Sequence, residues 1–152
     1  MPSTLGAVGK SIGILGQGFT GASSVEFNGT PASFHVVSDT YLTTTVPAGE
    51  TGFVVVNTAS GALTSSKIFK VTPALKTIAP TSGAVGSSVV LTGTGLIQAL
   101  NITVGGLKVT SFTVNSDQQV TIRVPAGAKT GRVVVTTPGG SASNSTVFTV
   151  TP

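Results

Sequence analysis

The chain has 152 residues, of which 39% are hydrophobic and only 8% are charged, and its formal net charge is +4. It contains no cysteine, which excludes a disulfide framework and thiolate chemistry. No apolar run approaches the roughly 20 residues that a membrane-spanning helix needs. Regular short runs of valine and threonine supply apolar area that disordered chains lack, so the composition predicts an all-β protein.

The sequence of the first half returns in the second half. GAVGKSIGILGQGF at Gly6–Phe19 returns 77 positions later as GAVGSSVVLTGTGL at Gly83–Leu96. VPAGETGFVVV at Val46–Val56 returns as VPAGAKTGRVVV at Val124–Val135, after two insertions at turn-like positions. Intact apolar runs between such insertions indicate a duplicated folding unit. We therefore predict two domains, residues 1–73 and 74–152.

In the first unit, Asn28-Gly29 separates two strand-like runs, where a tight hairpin needs residues with positive φ. His35 alternates with two apolar neighbours on the next predicted strand, which directs it outward. The following strand is predicted to bury Leu42, Thr44 and Val46. Nothing in this unit corresponds to Leu75–Ala79 of the second, so its opening strand is either absent or supplied by Met1–Leu5.

In the second unit, glycine and proline divide the sequence into short β-branched runs, a rhythm typical of a sandwich or barrel. Val120, Ile122 and Val124 alternate with polar residues, which predicts one buried and one solvated face. Gly105-Gly106 is placed for a second tight hairpin. The predicted strands are Lys76–Ala79, Ser88–Gly93, Asn101–Val104, Lys108–Asn115, Gln119–Val124, Gly131–Thr136 and Ser145–Thr151. No sustained 3.6-residue period occurs, so no long helix is expected.

These motifs resemble the IPT/TIG domain family. Pro80–Gly86 followed by Gly93–Leu96 is similar to the family's opening, P-x-x-G-x-x-G and then an apolar G-x-G/N-F element. Pro2–Gly9 and Gly16–Phe19 match it too, with one extra residue. The resemblance covers nearly the whole chain twice and implies two tandem immunoglobulin-like (E-set-like) β-sandwiches. Because the motifs consist of turn glycines and core positions, they indicate fold more strongly than function.

The side chains capable of chemistry are few and isolated. His35 is the only histidine, and a zinc site needs three or four ligands, so we expect a surface histidine and no metal site. Asp39 and Asp117 occupy equivalent positions before a strand, where we expect them to shape a turn by bonding the local backbone. No nucleophile elbow or carboxylate pair is present. We expect no enzymatic activity, no catalytic residue and no cofactor.

Aromatic residues offer the remaining candidate contacts. Tyr41 and Phe53 have no aromatic counterpart in the second unit, so we expect them to be exposed and able to make a weak ligand contact. Phe69 and Phe148 correspond to each other within apolar alternation and are predicted to be core.

The most favoured function is a non-catalytic spacer that positions neighbouring domains of a larger secreted or cell-surface bacterial protein. An adhesion or carbohydrate-binding accessory module, with a protein or glycan ligand, is the first alternative. A nucleic-acid-binding sandwich is the second; the eight scattered Lys and Arg residues argue against it. Exposed edge strands could also allow copies to associate. The resemblance is closest to bacterial extracellular members, so we expect a fragment whose signal peptide is not in this sequence.

Overall fold

The computed structural model describes residues 4–152, and the chain divides into two compact units, Met1–Val71 and Thr72–Pro152. All regular structure in the described part is β, and the fold class predicted from the sequence is confirmed. No helix long and apolar enough to span a membrane occurs among residues 4–152. The predicted boundary after residue 73 stays a prediction.

The described strands of the first unit are β1 (Leu5–Ala7), β2 (Ser11–Leu15), β3 (Ser24–Phe27), β4 (Thr30–Ala32), β5 (Phe34–Ser38), β6 (Tyr41–Thr45), β7 (Val54–Thr58), β8 (Gly61–Thr64) and β9 (Lys70–Thr72). They form a sandwich of a three-stranded sheet, in the order β2-β6-β5, and a four-stranded sheet, in the order β4-β3-β7-β8. A short pair, β1-β9, completes it.

The strands of the second unit are β10 (Ala74–Ala79), β11 (Ser82–Ala84), β12 (Ser88–Thr94), β13 (Asn101–Val104), β14 (Leu107–Lys108), β15 (Phe112–Ser116), β16 (Gln119–Arg123), β17 (Gly131–Thr137) and β18 (Gly140–Thr151). They repeat the plan of the first unit with larger sheets, in the orders β10-β12-β16-β15 and β11-β18-β17-β13-β14. The short β11, which pairs in parallel with β18, is not predicted by the sequence.

Each unit encloses one apolar core to which both of its sheets contribute. Phe27 and Phe69 meet edge to face in the first core, with ring centroids 5.1 Å apart. Phe148 is fully buried at the corresponding place in the second. The alternation predicted for β16 is confirmed, because Val120 and Ile122 are buried whereas Arg123 is exposed. On β6, the buried hydroxyl of Thr44 donates a 2.7 Å hydrogen bond to the Ser33 carbonyl, which explains a polar residue in the core.

Both hairpin predictions are confirmed. Asn28 and Gly29 have φ values of 48° and 85° between β3 and β4. Gly105 and Gly106, between β13 and β14, have φ values of 55° and 88°. Two consecutive residues with positive φ give a turn whose twist matches that of the flanking strands.

The single strand predicted at Lys108–Asn115 is wrong. The chain leaves the five-stranded sheet after β14 and joins the four-stranded sheet at β15. Val109 is buried at this crossing, and its amide donates to the carbonyl of Ile102. The strand is interrupted because its two halves belong to opposite layers of the sandwich.

The first unit has no described counterpart of β10. Thr4, the first described residue, corresponds to Thr81 at the 77-residue spacing. Since β10 ends at Ala79, the positions that correspond to it come before Thr4. Met1–Ser3 lie outside the described residues, and Leu5 belongs to β1, beside β9. Among the described residues, β2 is therefore at the edge of its sheet, whereas its counterpart β12 lies between β10 and β16.

Candidate functional site

Tyr41 lies at the start of β6, where it pairs with Leu15 of β2. The side chain is partly buried, because its ring lies across Gly13: a Cβ built on that glycine would come within 2.5 Å of the phenolic oxygen. The expectation that Tyr41 is exposed is therefore only partly met. The second unit has Val90 at the position of Gly13 and Gln119 at the position of Tyr41. This exchange of a small and a large residue could have indicated the contact between Tyr41 and Gly13.

Phe53 precedes β7 and is 47% exposed, as expected from the sequence. Its carbonyl accepts a 2.8 Å bond from the amide of Asn28, which holds its backbone while the ring faces solvent. Tyr41 lies on β6 of the three-stranded sheet, whereas Phe53 precedes β7 of the four-stranded sheet. The two aromatic residues therefore belong to different sheets.

His35 is exposed on β5, opposite Thr43 of β6. Among residues 4–152, no three His, Cys, Asp or Glu side chains come together in a way that could hold a metal ion. Glu26 and Glu50 are each engaged by an amide: Asn57 Nδ2 donates to Glu26 at 3.4 Å, and Asn28 Nδ2 donates to Glu50 at 2.9 Å. These carboxylates thus hold loops and strand neighbours in place.

Asp39 anchors the loop that follows β2. Its two carboxylate oxygens accept 3.2 Å bonds from the amides of Thr20 and Gly18. In the second unit, Asp117 accepts a 3.0 Å bond from the amide of Gly95. The expectation of a local turn was wrong in one respect, because the bonded amides are 19 to 22 positions away in sequence. Each aspartate therefore connects its own loop to a second loop of the same unit, which for Asp39 contains Gly18 and Thr20 and for Asp117 contains Gly95.

The amides of Thr20 and Gly18 lower the pKa of Asp39 from its ordinary value of 3.8, because they favour the ionised carboxylate. A lowered folded-state pKa adds stability above the unfolded-state pKa and loses it as the pH falls through the folded-state pKa. We therefore expect Asp39→Asn to unfold at a lower urea concentration than the wild type at pH 7, with the difference shrinking below pH 4 and vanishing in stronger acid.

Urea titrations at several pH values, followed by the NMR signals of each unit, would measure this difference. The second unit is the internal control, since Asp39 lies in the first. A difference that is independent of pH would contradict the assigned role of the carboxylate charge.

A groove of about 820 Å³ opens between the edge strands β2 and β8 of the first unit, and we call it the β2–β8 groove. Its apolar lining comes from both sheets: Ile14, Leu15, Phe19, Val54, Val56 and Leu63. Leu15 and Leu63 are 59% and 42% exposed. The sequence pattern did not predict this groove.

The family model for the IPT/TIG domain matches residues 2–69 and again residues 73–150. No curated protein matches the chain. Among solved structures, a surface glycan-binding protein of Prevotella bryantii is similar, with a TM-score of 0.62 and 20% identity over 96% of this chain and 38% of that chain.

Two further structures are similar at comparable identity. A crystal structure with xylogluco-oligosaccharide has a TM-score of 0.51 and 21% identity, over 93% of this chain and 37% of that chain. A protein of a complex xyloglucan utilization locus in Bacteroides uniformis has a TM-score of 0.48 and 20% identity, over 94% of this chain and 46% of that chain.

The likeness to the Prevotella bryantii protein and to the structure with xylogluco-oligosaccharide shows a shared fold. This chain spans less than half the length of each of the three proteins. The two family matches follow one another and together cover nearly every residue. The chain belongs to the IPT/TIG domain family and consists of two consecutive immunoglobulin-like sandwiches of that family.

Proposed function

We propose that the chain is a non-catalytic accessory module of an extracellular or cell-surface carbohydrate-binding protein, in which the two sandwiches position neighbouring domains. The observation that carries this proposal is what the duplication retains. Turn glycines and core residues recur, as Gly9 and Phe69 recur at Gly86 and Phe148. The histidine does not, since Thr113 stands at the position that corresponds to His35.

The likeness to the surface glycan-binding protein of Prevotella bryantii supports the carbohydrate context, because nearly all of this chain aligns with 38% of that longer chain. A fold hosts many functions, so the likeness alone does not assign one. Two compact units, each with its own core, supply a scaffold whose function depends on the domains attached to it.

A second candidate is direct contact between this chain and a glycan. Phe53 favours it, because a ring 47% exposed offers an apolar face to a ligand, and the second unit has Arg132 at this position. Tyr41 is the weaker contact, since its ring is partly buried against Gly13. The two residues are separate contacts in this proposal, because Tyr41 lies on the three-stranded sheet and Phe53 precedes a strand of the four-stranded sheet.

Binding of the chain alone to a panel of polysaccharides that includes xyloglucan tests both candidates. We expect no saturable binding if the module only positions its neighbours. Direct contact predicts saturable binding that weakens at least tenfold in Phe53→Ala and is unchanged in Leu100→Lys, an exposed apolar position of the second unit.

The same panel should include duplex DNA at low ionic strength. Tight binding that weakens steeply with added salt would contradict both candidates and favour a nucleic-acid-binding sandwich, because such a slope reports counterion release from phosphates. Host proteins on the panel test the adhesion alternative in the same way, through saturable binding to one of them.

A further inference from the structure

The hairpin between β3 and β4 contains a chemically reactive pair of residues, Asn28 and Gly29. It is the only place in the sequence where glycine follows asparagine. Both residues are exposed, and the pair Phe27–Thr30 closes the strand ladder beside them, so the backbone nitrogen of Gly29 lies outside the ladder. Glycine has no Cβ to shield that nitrogen, and it adopts more backbone conformations than other residues. The side-chain amide of Asn28 is therefore next to an unshielded backbone nitrogen.

Three contacts hold Asn28 against the segment that leads into β7. Its backbone amide donates a 2.8 Å bond to the Phe53 carbonyl, and its Nδ2 donates a 2.9 Å bond to Oε2 of Glu50. A Cβ built on Gly52 would lie 2.5 Å from Cβ, Cγ and Oδ1 of Asn28, so the amide lies across that glycine. These contacts restrict rotation of the Asn28 amide and connect the hairpin to the neighbouring segment.

The second unit forms the corresponding turn without these side chains. Gly105 and Gly106 stand at the positions of Asn28 and Gly29, and both have positive φ values, 55° and 88°. Ala128 follows the shared VPAG sequence at the place where Glu50 follows it in the first unit. Glycine supplies the required conformation as readily as asparagine does. The turn itself thus needs neither the amide nor the carboxylate, and this amide–carboxylate pair is a feature of the first unit.

We propose that Asn28 is a site of spontaneous covalent modification, deamidation, and that Glu50 restrains the reaction. The backbone nitrogen of Gly29 bonds to Cγ of Asn28 while the Cγ–Nδ2 bond breaks, and Nδ2 takes up the proton of the backbone amide and leaves as ammonia. Water then opens the cyclic imide and returns a proton to the nitrogen. Addition of water at one carbonyl carbon gives aspartate at position 28, and addition at the other gives isoaspartate. Ring closure requires the amide to rotate, so the bond to Glu50 slows it. This inference is independent of the proposed function, because it involves no ligand.

Either product weakens the attachment of the hairpin. Aspartate would place a carboxylate oxygen where Nδ2 of Asn28 stands, 2.9 Å from Oε2 of Glu50, so a hydrogen bond is replaced by repulsion between like charges. Isoaspartate adds a methylene group to the main chain of a turn that fixes the register of β3 on β4. Because Asn28 and Glu50 are exposed, solvent screens the repulsion, and we expect a less stable first unit rather than an unfolded one.

Peptide mapping by mass spectrometry, on the folded full chain incubated in mildly alkaline buffer, measures the reaction directly. We expect Asn28 to convert at least tenfold faster than Asn115 and Asn144, each of which is followed by serine. Isoaspartate should be among the products, since direct hydrolysis of the side-chain amide cannot give it. Conversion of Asn28 no faster than that of the two control residues, or conversion without isoaspartate, would overturn the proposal.

The restraint by Glu50 is measured in the same assay. Glu50→Ala introduces the residue of the second unit at an exposed position, so the variant should fold, and circular dichroism checks this. Conversion of Asn28 should be at least threefold faster in this variant than in the wild type. An unchanged or slower rate would refute the role assigned to Glu50.

The effect on stability is tested with the product made directly. Asn28→Asp should lower the urea midpoint of the first unit at pH 7, and adding Glu50→Gln to it should restore most of the loss, because the amide and the carboxylate then exchange places. Asn28→Gly, which copies the turn of the second unit, is the control for incubation: its midpoint should stay constant, whereas that of the wild type should fall. The NMR signals of the second unit should show an unchanged midpoint in every sample. Equal midpoints of the wild type and Asn28→Asp, or no recovery with Glu50→Gln, would contradict the effect assigned to the Asn28–Glu50 pair.

Discussion

Phe69→Ala should lower the free energy of unfolding of the first unit by about 3–5 kcal/mol, the usual cost of truncating a fully buried phenylalanine. The ring is 0% exposed and meets Phe27 edge to face at an interplanar angle of 85°. Such a pair contributes about 0.5–1.5 kcal/mol beyond the apolar area that it buries. Since small domains have total stabilities of about 5–15 kcal/mol, the variant should be close to unfolding.

Urea unfolding followed by resolved NMR signals of each unit measures this loss. Phe53→Ala is the matched control in the same unit, because that ring is 47% exposed, and its substitution should cost less than about 1 kcal/mol. Equal losses in the two variants would show that the Phe27–Phe69 pair is not the centre of this core.

Gly93→Ala should destabilise the second unit by about 3 kcal/mol, at the upper end of the usual cost of overpacking. A Cβ at this position would overlap the backbone carbonyl oxygen of Ala74, and neither backbone can move without separating β10 from β12. We therefore expect β10 to detach, with loss of amide-exchange protection along Ala74–Ala79 and exposure of Leu75.

Gly16→Ala, at the corresponding position of the first unit, provides the control. No described strand passes beside Gly16, and the nearest atom to its added Cβ is the ring tip of Phe19, at 2.5 Å. A ring can shift where a backbone cannot, so this variant should lose only about 1 kcal/mol. Equal losses in Gly93→Ala and Gly16→Ala would contradict the difference between the two strand edges.

The sequence predicted those features that depend on local periodicity or on a single backbone conformation. The alternation in β16 follows from side chains that point to opposite faces, and the hairpin at Asn28-Gly29 follows from the need for positive φ. Both are properties of a few adjacent residues. Comparison of the two halves of the sequence also predicted the burial of the corresponding residues Phe69 and Phe148.

Features that depend on residues distant in sequence were not predicted. The interruption at Val109 arises because the chain passes between layers, and this crossing depends on the positions of both sheets rather than on the run Lys108–Asn115 itself. The burial of Tyr41 depends on the absence of a side chain at Gly13, on a different strand. The β2–β8 groove requires both sheets to be in place before its shape exists.

The parallel pairing of β11 with β18 has a consequence for the kinetics of folding. Ser82 pairs with Thr149, so nearly the whole second unit must be traversed before this ladder can form. Phe148, which fills the centre of that core, lies on the same late strand. Closing so long a loop costs entropy before any contact compensates for it, and folds dominated by such distant pairings reach the native state in milliseconds to seconds. The second unit should therefore fold slowly, and during synthesis its core should remain incomplete until β18 has left the ribosome.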